Sequence, residues 1–96
     1  MAPEVIRGQG SSPKSDVWSL GATVWEMAAA APPLAHLEAM AALFHIGNCN
    51  DIGEPPESLG PDGVAFVKLC MRTEKADRPT ISGLLVHPFL SAAESL

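Results

Sequence analysis

The stretch from about Lys14 to Ala30 limits the fold more than any other part of the chain. Its polar residues Asp16, Ser19, Thr23 and Glu26 recur every three or four positions, a spacing that lines them up as one narrow stripe on a helix. Val17, Trp18, Leu20, Ala22, Val24, Trp25, Met27 and Ala28 cover most of the remaining circumference. A helix that is apolar on nearly every side is normally buried in a larger body. Two tryptophans, each able to bury on the order of 200 Å², sharpen that expectation. The rest of the chain offers only short helices, which can hardly surround this one. The pattern therefore predicts a long, central, buried helix that lacks some of its neighbours.

The other segments also read as helix and turn. A short turn over Pro3 to Ile6 ends at Gly8 and Gly10, and Gln9 to Pro13 is a loop rich in glycine, serine and proline. Pro32 and Pro33 stop the long helix after the alanine run Ala28 to Ala31. A second helix is predicted from about Leu37 to Ile46, closed by Gly47 and Asn48. Asn50 to Ser58 reads as loop. A third helix starts near Pro61, where proline suits the first turn, and runs to about Met71. A fourth covers Thr80 to Val86. No alternating apolar run suggests a strand, so the expected class is all-α, with about four main helices.

Composition narrows the functional classes. The chain has 96 residues, room for one domain or less. Its hydrophobic fraction of 47% points to a packed core. A net charge of −5 argues against a nucleic-acid groove or an anionic membrane surface as partner. No apolar run approaches the ~20 residues of a membrane span, and no secretory address is visible. Cys49 and Cys70 are too few for a disulfide scaffold, so both are expected reduced in a cytoplasmic protein.

Four blocks carry a family resemblance. Met1-Ala2-Pro3-Glu4 resembles the Ala-Pro-Glu motif that closes the activation segment of protein kinases. Ser15-Asp16-Val17-Trp18-Ser19-Leu20-Gly21, followed by Glu26-Met27, looks like the buried central helix of the kinase C-terminal lobe. Ala76-Asp77-Arg78-Pro79-Thr80 resembles the arginine-proline segment before the last helix. His87-Pro88-Phe89-Leu90 is similar to the usual end of the domain. One block alone is weak evidence; four in order are specific. The resemblance implies the C-terminal part of a kinase domain over residues 1–90, with 91–96 as a tail. Met1 would then fit an internal position as well as a true start. Met1 to Arg7 and Met40 to Gly47 further resemble the mitogen-activated protein kinase kinase kinases and their sterile-kinase relatives, which implies serine/threonine specificity.

Residue roles follow from that resemblance. Glu4 and Arg78 would form the ion pair that ties the activation segment to the lobe. Trp18 and Met27 match core positions of the central helix. Asp16 matches an aspartate that, in the family, accepts hydrogen bonds from the catalytic loop; without that loop it would cap its own helix or face solvent. Thr23 stands where many kinases have an aliphatic residue, and Ala28 to Ala31 replaces the usual glycine-containing turn. Met40, Leu43 and Phe44 form a helical stripe, read first as packing and second as a docking patch.

Missing motifs shape the functional expectation. The sequence holds no G-x-G-x-x-G loop, no lysine in a V-A-I-K setting, no H-R-D-x-x-x-x-N and no D-F-G. Those parts hold the phosphates and magnesium and orient the substrate hydroxyl. No catalytic, nucleotide-binding or metal-binding residue is therefore expected in this chain, and ATP and magnesium would belong to the parent kinase. Its expected partners are the rest of the kinase domain and the parent's protein substrates. His36, His45 and His87 lack metal-ligand spacing. Cys70 reads as a core residue, and Cys49 as a loop thiol with nothing beside it to activate it. Asp51, Glu54 and Glu57 read as a solvated acidic loop. Three readings remain open: an inactive piece of a serine/threonine kinase, a pseudokinase or kinase-derived interaction module, and an independent helical bundle.

Overall fold

Local sequence signals set the helix boundaries in the computed structural model, which describes residues 1–48 and 52–90. In chain order the helices are α1 (Pro3–Ile6), α2 (Pro13–Ala29), α3 (Ala39–Gly47), α4 (Gly60–Cys70) and α5 (Ile81–Leu84). One-turn 3₁₀ segments at Glu57–Leu59 and Lys75–Asp77 precede α4 and α5. There is no strand among the described residues, so the all-α class holds. Cys49, Asn50, Asp51 and the 91–96 tail lie outside the described residues.

The helix α2 begins one residue earlier than its apolar pattern suggests. Pro13 occupies the first turn, where its missing N–H costs nothing. The Ser12 amide donates to Ser15 Oγ at 3.2 Å, closing the entry to the helix. At the other end Ala30 takes a left-handed conformation, φ 59°, where glycine would be the unstrained choice. The helix α3 runs through Gly47, and Asn48 Nδ2 donates back to the Phe44 carbonyl at 2.8 Å. The Thr80 hydroxyl accepts from the Gly83 amide at 3.1 Å and caps α5. That helix is shorter than expected: it ends at Leu84, and Leu85 and Val86 lie exposed in a turn.

The core forms where α2 crosses α4. Val17, Trp18 and Trp25 from α2 meet Phe66, Val67 and Cys70 from α4, with Ala2, Met71 and Leu84 closing the cluster. Burying side chains of this size stabilises by roughly 1.5–3 kcal/mol each. Gly21 sets the distance between the two helices. A Cβ there would stand 2.7 Å from Cys70 Cβ and 2.8 Å from Met71 Cγ. Phe66 also stacks at a tilt on Phe89, centroids 5.1 Å apart, and meets the His87 ring edge-on at 5.3 Å. On the far side α1 packs on α3, where a Cβ on Gly47 would lie 2.9 Å from Ile6 Cγ2.

The long helix is central, but only one of its faces is buried. Val17, Trp18, Gly21 and Trp25 are covered, whereas Leu20 is 38% and Met27 is 72% exposed. Met27 was expected in the core beside Trp18. The two lie on different sides of α2, and no described residue covers the side that carries Met27. The apolar circumference is real; the cover for half of it is not in these residues.

Candidate functional site

The most constrained polar site joins the two ends of the described chain. Glu4 lies in α1 and is 3% exposed; Arg78 follows the second 3₁₀ segment and is 1% exposed. Their contact is bidentate: Nη1 donates to Glu4 Oε2 at 2.8 Å and Nη2 to Oε1 at 2.9 Å. The planar fork of arginine matches a carboxylate in this way, which a lysine cannot reproduce.

Every donor of Arg78 is used. Nε donates to the Arg72 carbonyl at 2.7 Å, Nη1 also to the Lys14 carbonyl at 3.0 Å, and Nη2 also to the Thr73 carbonyl at 3.2 Å. The guanidinium lies 5.1 Å from the Trp18 ring centroid, within cation–π range. The Lys14 ammonium in turn donates to the Arg78 carbonyl. Glu4 has a second donor, Ser15 Oγ, at 2.7 Å from Oε2. A buried charge is tolerated only when it is paired and hydrogen-bonded, and both charges here are. The Arg78 hydrogen bonds outweigh the effect of burial and, with Ser15 assisting, lower the Glu4 pKa from 4.5 to about 2.

Apart from Trp18, the other residues marked by the sequence lie elsewhere. Asp16 is in the first turn of α2 and exposed, suited to the helix dipole and open to solvent. Trp18 is buried under the guanidinium. Met40 and Phe44 on α3 are 77% and 72% exposed, and Leu43 is half-buried. Cys70 is fully buried and its thiol is pushed up to about 11 by that burial, which keeps it unreactive. A cleft of about 380 Å³ opens between Trp18, Trp25, Ile52, Pro55, Val67 and Met71. At its rim Lys68 and Glu54 make a largely exposed ion pair, of the kind that contributes little to stability.

The protein kinase domain profile matches residues 1–90. The chain belongs to the protein kinase domain family. It is 47% identical over 91 residues to mitogen-activated protein kinase kinase kinase 3 of Arabidopsis thaliana, a match covering 94% of this chain and 15% of the relative. It is 44% identical over 91 residues to mitogen-activated protein kinase kinase kinase 19 of Homo sapiens, covering 94% of this chain and 7% of that protein. Among solved structures, the twitchin kinase region of C. elegans superposes with a TM-score of 0.80 at 25% identity, over 93% of this chain and 16% of that one.

No glycine-rich phosphate loop is present, and the described residues gather no group of three His, Cys, Asp or Glu that could hold a metal. What the arrangement can do is mechanical: it locks α1 onto the start of α2 and onto the segment before α5. Sequence reasoning found the two charges and missed the groups around them. Ser15 was legible only as part of a motif. The carbonyls of Lys14, Arg72 and Thr73 have no side-chain signature at all.

Proposed function

We propose that this chain is the C-terminal platform of a serine/threonine protein kinase whose parent transfers the γ-phosphate of ATP to protein substrates in a mitogen-activated protein kinase cascade. The observation that carries this reading is identity of 40–47% to several kinases of that class over at least 94% of the chain. Glu4, Arg78 and Trp18 act as the joint that seats the activation segment on the lobe. Residues 1–90 form the working unit, and the chain alone does not transfer phosphate, because the groups that hold ATP and magnesium are outside its 96 residues. The exposed Met40 and Phe44 on α3 offer a docking face for a protein substrate, with Leu43 anchoring it from below. The net charge of −5 suits protein partners better than nucleic acid or membrane, and the site of action in this reading is the cytoplasm.

The test is a phosphoryl-transfer assay on the parent, with kinases of the cascade as substrates. Transfer to serine or threonine is expected, falling at least tenfold in Arg78→Leu. A parent that binds no nucleotide and transfers nothing would make this an interaction module instead.

A further inference from the structure

We infer that Ser15 is a positioning residue for the Glu4–Arg78 joint, acting through the Glu4 carboxylate. The inference rests on the geometry of the pair and holds whether or not the parent is an active enzyme. Ser15 is 95% buried, at 5% exposure, so its hydroxyl has no solvent to turn to. Its oxygen accepts the Ser12 amide proton at 3.2 Å. Its own proton is thereby directed at Glu4 Oε2, 2.7 Å away, a short, charge-assisted contact.

The geometry explains why a third group is useful. Arg78 supplies one hydrogen bond to each carboxylate oxygen, and a carboxylate has room for about four. Ser15 fills a further position on Oε2 and so fixes the rotation of the carboxylate in the plane the guanidinium needs. The same turn of α2 also receives Arg78 through the Lys14 carbonyl. Adjacent residues therefore hold the two halves of the pair: Ser15 the acid and Lys14 the base. The first turn of α2 is the template on which residues 74 positions apart find their register.

A double-mutant cycle in the 96-residue chain tests this, read by urea unfolding with the fluorescence of the two buried tryptophans, Trp18 and Trp25. Ser15→Ala alone is expected to lower the folded-to-unfolded ratio roughly tenfold to a hundredfold, the usual effect of removing a hydrogen bond to a buried charge. In a Glu4→Gln background the same change is expected to cost less than about threefold, and Ser15→Thr is expected to restore most of the loss. Equal penalties in both backgrounds would make Ser15 a packing residue and overturn the inference. Should Ser15→Ala not fold, carbon-13 titration of the Glu4 carboxyl in Ser15→Thr and Ser15→Cys decides. The titration stays low with the hydroxyl and moves up with the thiol if the inference holds; identical titrations overturn it. An inactive parent would leave each of these outcomes unchanged and count only against the kinase reading.

Discussion

Glu4 shows how much one buried side chain can set. A carboxyl with 3% exposure would ordinarily be pushed toward its neutral form by burial. Arg78 reverses that, and the pKa falls from 4.5 to about 2. A pKa lowered on folding stabilises above the unfolded value and is lost as pH falls through the folded one. The contribution is therefore full above about pH 4.5, declines from there to about pH 2, and amounts to roughly 3 kcal/mol. At pH 3.5 the expected loss from this group is on the order of 1 kcal/mol, and Glu4→Gln should remove that part of the acid sensitivity. Urea midpoints at pH 5.5 and 3.5 for both proteins check it; equal pH dependence would assign the acid sensitivity to the surface carboxylates. The pair itself was legible because both charges sit in recognisable motifs. Its surroundings were not, since a backbone carbonyl such as that of Thr73 looks the same in any sequence.

The elements divide along the same line. Periodicity and punctuation located α2, α3 and α4 to within a residue or two, because those signals are local. The close approach of α2 and α4 at Gly21 is not local: the positions of Cys70 and Met71 make that glycine necessary. The exit from α2 was equally hidden. Alanine has no preference for the left-handed region, yet Ala30 occupies it at φ 59°, because Pro32 and Pro33 forbid the helix to continue and the chain must turn. A left-handed alanine costs on the order of 1 kcal/mol, part of which glycine returns to the unfolded state as entropy. Ala30→Gly is therefore expected to stabilise by about 0.5 kcal/mol or slightly more, with no change in far-ultraviolet circular dichroism at 222 nm. A loss of stability in thermal melts would mean that Ala30 packs in a way its exposure conceals.

At the scale of the whole molecule, the two faces of α2 behave as two proteins would. One face, with Val17, Trp18 and Trp25, is sealed by α4. The other presents Leu20 and Met27 to solvent, while Met40, Phe44, Ile81 and Val86 are exposed elsewhere. A monomer seldom displays so much apolar surface without a partner for it, and a chain of this length has little burial to spare. The sequence announced the apolar circumference but gave no sign of which half would be covered, since that depends on long-range packing and not on local periodicity. The isolated chain should accordingly melt at low temperature, and its native state should bind the dye ANS. Met27→Gln should reduce dye binding without lowering the midpoint, because a side chain 72% exposed contributes almost no burial here; under the proposed reading, the same substitution in the parent kinase should destabilise by about 2 kcal/mol or more, because α2 would gain a second cover there. Calorimetry and dye binding check the first part: a midpoint of about 45–65 °C, as in ordinary mesophile domains, with no dye bound below it would show that α2 needs no further cover and that the chain is a domain in its own right.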